Sequence, residues 1–467
     1  MTAACSFPPH YEILRVARHT TPSFTIENAA IRMSTIPQYQ YSPIDTNERK
    51  LYLGRSRIIR LLNILPGAFG DDLCVTIEAG RLNLVNPPQY EALSYVWGSG
   101  QDLKTIYIGG DKQFSLQVTQ NLESSLRHLR HSDNNRVLWV DAICINQSDN
   151  NERNEEVFHM RDIYACASRV IIWLGAKFEC CTSPDNEEHG KRVMSYIQET
   201  SISEKAFDQL ENPGEISSAL AWLYHRPWFQ RVWILQELIM CPPHETLQDM
   251  PNAVFHLGKW EVPFFLLWQT IDKLKRDHAS SIVNTTWRHH QAIALLNTPI
   301  LVLRNAWCDY RGMGSDLPLE SRSPAEQLLF MLVLVTWRDC TVMHDIFYGV
   351  LGLVQGSIPA TLLPDYASDE ESVFRTYASY LLSNTQCPWI LECSSFVNDW
   401  SPSWVPDWRG GSLKMFADHR GPVVMSSDGR KIGVEGIYLD KVAAVAMNWY
   451  AITQEVDCVQ ETDIYGG

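Results

Sequence analysis

Apolar and polar positions change period several times along the chain, and each change marks an element. Residues 1 to about 40 are polar, dotted with proline and without period, which predicts a flexible N-terminal segment over 1–45. Ile58–Leu65 (IIRLLNIL) is the first ordered run, closed by the turn pair Pro66–Gly67, and it sits in a lead-in segment over 46–87. YEALSYVW (90–97) reads as a strand ending at Gly98. Thr105–Ile108 and Phe114–Val118 alternate around Gly109–Gly110, which predicts a hairpin whose turn uses glycine's freedom at positive φ. Thr119 caps a predicted helix with Leu122, Leu126 and Leu129 on one face. VLWVDAICI (137–145) is nearly continuous in apolar residues, as a strand buried on both faces requires. Asp149 with Glu152 fits a capping box, and the helix behind it turns Val157, Met160, Ile163, Tyr164 and Ala167 inward. VIIWL (170–174) is a further buried strand, stopped by Gly175.

Strand, helix, strand, helix, strand in that order predicts an α/β core, a parallel sheet flanked by helices, over 88–241. Helical segments are expected near 190–200 and 215–241. A mostly helical, proline-punctuated lobe follows over 242–410, with Pro324–Trp337 and Asp369–Leu382 as examples. Residues 411–467 form a short β-rich C-terminal segment, alternating around Lys431–Ala446.

Composition narrows the function classes. Apolar residues make up 45% of the 467 and charged residues 20%, enough for a buried core and too little charge for wholesale disorder. The formal charge of −15 repels a phosphate backbone, so no nucleic-acid partner is expected. The twelve cysteines form no C-x-x-C pair, which excludes zinc-site spacing and points to reduced thiols. No apolar leader opens the chain, and its longest apolar run, Leu328–Trp337, is half a membrane span. These features predict a cytoplasmic protein without a membrane span. P-loop, dinucleotide-fingerprint, G-x-S-x-G and H-E-x-x-H motifs are all absent, and adjacent His289–His290 diverge on a helix, so no metal site is expected.

What remains is a set of polar and aromatic residues at strand ends. Asp141, Cys144, Asn146 and Gln147 close one strand, where an open α/β sheet presents its crevice. Tyr95, Trp97 and Gly98 close another, aromatic faces beside a pliable backbone. Trp233 and Glu237 lie four apart on a predicted helix, and a carboxylate packed on indole loses solvation and gains pKa. Each has a second reading. Glu237 can pair with Arg231 or Arg226; Asp141 can hold loop amides; Asn146 and Gln147 can organise the turn. Arg153, at a helix start, calls for either an internal carboxylate or a phosphate. Tyr95, Trp97 and Trp233 are either core or stacking platforms.

YEALSYVWG (90–98), LWVDAICINQSDNNERNEEVFHMRDIYACASRVIIWLG (138–175) and RPWFQRVWILQEL (226–238) resemble the fungal heterokaryon-incompatibility (HET) domain. HDIFYGVLGL (344–353), PDYA (364–367), PSWVPDW (402–408) and GVEGIYLDKV (433–442) follow in the order found in full-length proteins of that type. His344 stands where such chains commonly carry Arg. The sequence stops at Gly467 where similar chains often continue, leaving truncation, a short paralogue or a gene-model boundary as readings.

The resemblance implies a role in non-self recognition that ends in programmed cell death, with an incompatibility partner protein of unknown identity. HET domains are similar in fold to TIR domains, some of which cleave NAD at the nicotinamide–ribose bond with a Glu that follows a Trp-Cys pair. Trp233–Glu237 looks like that segment, with altered spacing and no Cys. The resemblance makes Glu237 the catalytic candidate and Asp141 the acidic strand-end residue. It places Tyr95 and Trp97 near the base of an NAD substrate, with Gly98, Asn146, Arg153 and Trp233 as further candidates for binding it and no bound cofactor. The alternatives are a non-enzymatic module acting by self-association of the HET core into a homo-oligomer, and an inactive paralogue.

Overall fold

The computed structural model describes residues 36–44, 56–177, 186–200, 220, 222–223, 226–247, 250–280, 299–313, 319–335, 338–385, 387, 390–391, 404–408, 423–426 and 431–434. Every element lies in the compact unit that runs from Pro37 onward. Nine strands form one sheet: β1 Ser56–Ile64, β2 Cys74–Asn83, β3 Glu91–Tyr95, β4 Leu103–Ile108, β5 Phe114–Thr119, β6 Arg136–Trp139, β7 Val170–Trp173, β8 Ala253–Leu257 and β9 Trp260–Pro263. Their spatial order is β5-β4-β2-β1-β6-β3-β7-β8-β9. A separate pair, β10 Val423–Met425 and β11 Ile432–Val434, is antiparallel. The described helices are α1 Gln120–Leu129, α2 Asp141–Cys144, α3 Asn150–Cys166, α4 Asn186–Thr200, α5 Ile234–Ile239, α6 Phe264–Ser280, α7 Pro299–Tyr310, α8 Pro324–Val335, α9 Asp345–Leu351 and α10 Glu370–Thr385.

The sheet is mixed where the sequence reading expects a parallel one. Its centre, β6-β3-β7-β8, is parallel. Antiparallel pairs extend it on one side through β1 and on the other through β9. The central strands carry the continuous apolar runs that two-sided burial demands: all of β7 and β8 is buried, as is β3 after Glu91.

Three local expectations are corrected. The apolar run 137–145 is not one strand. It leaves the sheet after Trp139 and turns into α2, because the Asp141 carboxylate accepts from the Ala142 amide at 2.7 Å and Cys144 N bonds Val140 O at 2.7 Å. The β4–β5 turn takes positive φ at Gly109 and Lys112, not at both glycines. The capping box forms only by half. Asp149 accepts from the Asn151 and Glu152 amides, but the Glu152 carboxylate turns away to Arg60 of β1 and to Asn146 N. That ion pair, with Arg57–Glu156 at 2.6 Å, ties β1 to α3 through buried charges.

Residues past Cys241 are not all helical either. The β8–β9 hairpin continues the sheet beside β7, so one core runs through both stretches. The 190–200 helix is present as part of α4, and of the expected 215–241 helix the described residues hold helical positions at 220 and 222–223, a 3₁₀ turn over Pro227–Gln230, and α5. Pro324–Val335 and Glu370–Thr385 are helices as the pattern predicts. The 1–35 segment, His289–His290 and residues 435–467 lie outside the described residues. Among the described residues, no helix is long and apolar enough to cross a membrane.

Candidate functional site

β3 and β6 are parallel neighbours whose connections leave in opposite directions. From β3 the chain crosses to β6; from β6 it returns past β3 to β7. Right-handed crossovers then put the two connections on opposite faces, and a crevice opens between the carboxyl ends of β3 and β6. Tyr95, Trp97 and Gly98 leave one side of that crevice and Asp141 leaves the other.

The gap is bridged by hydrogen bonds. Trp97 Nε1 donates to Asp141 Oδ2 at 2.7 Å, while the Trp97 ring remains 42% exposed at the mouth. Gly98 follows at φ +80°, a conformation other residues adopt only under strain. Behind Trp97, Asn121 near the start of α1 holds the loop: its Nδ2 donates to Val96 O at 2.6 Å, and its Oδ1 accepts from Trp173 Nε1 at 3.0 Å. Tyr95 is fully buried beside Asp141, and its hydroxyl closes no hydrogen bond of standard geometry.

Glu237 enters from α5. It is 1% exposed, and both carboxylate oxygens are occupied. Ser94 Oγ donates to Oε2, and the Arg231 guanidinium meets Oε1 and Oε2 at 3.3 and 3.4 Å. Ser94 in turn accepts from Trp228 Nε1 at 2.6 Å, so the donor chain runs from indole to hydroxyl to carboxylate. Tyr164 of α3 completes the enclosure, with its hydroxyl on Leu93 O at 3.1 Å.

Among the described residues, Arg231 is the cation that acts on both acids, so two carboxylates face one guanidinium there. Burial raises the pKa of Asp141 and of Glu237; Arg231 opposes this in both, and Asp141 adds to the rise at Glu237. For Arg231 itself burial pulls the pKa down, and Glu237 and Asp141 reverse that into a net rise. Three ionisable groups so close titrate as one unit. Chemically, such a group can hold a proton above the ordinary carboxylate range or meet a cation in a water-poor place.

The remaining candidates go elsewhere. Asn146 organises its turn, its Oδ1 accepting from the Ser148 hydroxyl at 2.7 Å, and Gln147 Nε2 ties back to Asp141 O at 2.9 Å. Trp233 stands one helical turn before Glu237, its carbonyl accepting from Glu237 N at 3.1 Å, but its indole does not close on that carboxylate. Its indole donates to Asp345 Oδ2 on α9 at 3.0 Å. Arg153 stacks on the Tyr366 ring at 4.0 Å, and the Tyr366 hydroxyl donates to Asp345 Oδ1 at 2.7 Å. The structure therefore divides the set: Tyr95, Trp97, Gly98, Asp141 and Glu237 share the crevice, while Arg153 and Trp233 join a second network. The indole beside Glu237 is that of Trp228. Ser94, Trp228 and Tyr164 were missed as site residues, since none of them has a local polar pattern. Cys144 is buried and its thiol is pushed up to about 12, which leaves it inert. Among the described residues, no group of three or more His, Cys, Asp or Glu is arranged for a metal ion. A groove of about 330 Å³ lies elsewhere, over β1 and β2, lined by Tyr39, Ile58, Arg60 and Ile77.

Residues 90–237 match the family described as heterokaryon incompatibility protein (HET). The Neurospora crassa protein "Heterokaryon incompatibility protein 6, OR allele" is 26% identical over 420 residues, an alignment covering 77% of this chain. The chain spans 58% of the length of that relative. No solved structure matches.

Proposed function

We propose, from the premise that this is a fungal chain carrying a HET domain over residues 90–237, that it is an incompatibility protein of non-self recognition. In this reading the HET domain triggers programmed cell death, and the crevice between β3 and β6 is its working end, TIR-like in use. The observation that carries the reading is one of convergence. The matched segment begins at the strand bearing Ser94 and Tyr95 and ends at Glu237, and these two ends meet in a single polar cluster with Asp141 and Arg231.

The chemistry proposed for the crevice is hydrolysis of NAD at the nicotinamide–ribose bond. Cleavage builds positive charge on the ribose, which a carboxylate in a poorly solvated site stabilises. Nicotinamide leaves as a neutral base, so no strong general acid is needed. Glu237 is the carboxylate, and Trp97 at the mouth is the stacking surface. Arg231 opposes the burial-driven rise in the Glu237 pKa, and the substrate's own cationic ring acts in the same direction. The purified full chain is expected to release nicotinamide from NAD. Glu237→Gln should cut the rate on the order of a hundredfold or more. A folded wild-type protein that releases no nicotinamide at high concentration would end this reading.

One observation favours a second reading. Glu237 has no open face in this arrangement, as a structural carboxylate has none. A non-enzymatic HET core would act through association with like domains. Expression in a fungal host separates the two: growth arrest lost with Glu237→Gln supports catalysis, and arrest that survives it supports association.

A further inference from the structure

The segment that carries Arg231 and leads into Glu237 is gripped along its outer side by residues well beyond the HET match. Arg338 Nη1 donates to Phe229 O at 2.6 Å. Asp339 bridges the backbone on both sides of Arg231: its amide donates to Gln230 O, and its carbonyl accepts from Val232 N at 3.1 Å. Asp345 accepts from Trp233 Nε1. α9 then lies against the same segment at two glycines. A Cβ on Gly349 would stand 2.6 Å from Val232 Cγ1, and one on Gly352 would stand 2.8 Å from Gln236 Nε2. Residues 229–236 thus meet residues 338–352 along most of their length.

The grip converges on one side chain. Asp345 is buried, and its two oxygens accept from two different elements, Trp233 at the head of α5 and Tyr366 beyond α9. Tyr366 is fixed in its turn by the Arg153 guanidinium over its ring and by its amide on Asn154 Oδ1 at 3.1 Å, both from α3. On the inner side of the gripped segment, Glu237 is sealed by Ser94 and Arg231.

We infer that residues 338–352 with Tyr366 form a latch, centred on Asp345, that holds the Arg231–Glu237 segment closed over the crevice. Displacing α9 releases Trp233 and frees the segment to swing away from Ser94, which opens Glu237. The inference rests on the reading of Glu237 as the working carboxylate only for its effect on activity; the latch itself is a mechanical claim. Asp345 is a positioning residue, acting through Trp233 and Tyr366.

Asp345→Ala in the full chain tests it, with Tyr366→Phe as a milder variant that keeps the ring over Arg153. Hydrogen exchange should quicken on the order of tenfold or more at amides 231–239 in Asp345→Ala, less in Tyr366→Phe, and stay unchanged at 91–95 of β3. Nicotinamide release should rise several-fold in step. Unchanged exchange at 231–239 in both folded variants overturns the latch, whatever the activity. Faster exchange with falling release overturns closure and makes the grip a support for activity. Faster exchange with no release from any protein, wild type included, leaves the latch standing and removes the NAD reading instead.

Discussion

Glu237 and Asp141 share one guanidinium, and that imbalance has a measurable consequence. Their folded pKa values lie above the ordinary ones of about 4.3 and 3.9. As pH rises through the interval between the unfolded and folded values, the unfolded chain loses these protons first. The folded state then binds more protons than the unfolded state, so this contribution to stability falls as pH increases. Glu237→Gln removes one such group and leaves Arg231 to Asp141 alone, which lowers the second. The stability loss caused by the substitution should therefore be greatest near pH 4 and shrink towards neutrality. Denaturant unfolding of both proteins across that range checks it; a difference that grows with pH would contradict the burial-driven shifts. Carboxylates held low by arginine or histidine, such as Glu91 and Glu261, are common to both proteins and cancel in the difference. At this scale the sequence was readable where residues sit at strand ends. Asp141, Trp97 and the Arg231–Glu237 pairing follow from local pattern. Ser94 does not, because a small hydroxyl inside a buried strand looks like filler until a carboxylate more than a hundred positions away meets it.

At the level of elements, α9 shows what local pattern leaves out. HDIFYGVLGL enters the sequence reading only as a family motif, and the structure makes it the short apolar helix α9. Nothing in its own sequence says that it packs against α5, or that its two glycines are there for close approach. Gly349→Ala should raise helix propensity by about 1 kcal/mol in isolation. Here the added methyl meets Val232 Cγ1 at 2.6 Å, and Val232 is fully buried with no room to retreat. Overpacking of this kind costs about 1–3 kcal/mol, so the net change should be a loss, seen as a lower denaturant midpoint with an unchanged slope. A gain in stability would mean that α9 does not press on the Arg231 segment. The same limit explains the division of the candidate site. Arg153 is a candidate from its place at a helix start and Trp233 from its spacing to Glu237, whereas α3 and α5 turn those two side chains towards Asp345 and Tyr366. Helix spacing fixes which residues share a face, but the partner of that face is chosen by tertiary packing.

The whole molecule is organised around a sheet larger than the HET match. β6 borders β3 within the matched segment, but its other edge is covered by β1 from residues 56–64. β7 is covered on its far edge by β8 from residues 253–257. A fragment of residues 88–241 would expose both edges of a three-stranded parallel sheet, with strands that are apolar on both faces. It would also lose the ion pairs that Arg57 and Arg60 of β1 make with Glu156 and Glu152 of α3. A typical domain has only about 5–15 kcal/mol of stability in total, and the apolar burial of β1 against β6 and of β8 against β7 goes with those pairs. The fragment should aggregate and show no cooperative thermal transition, whereas the chain from residue 36 onward should unfold cooperatively. Circular dichroism with temperature on both proteins decides this. A fragment 88–241 that melts sharply as a monomer would mean that the HET segment holds its own core, and that β1 and β8 are additions to it.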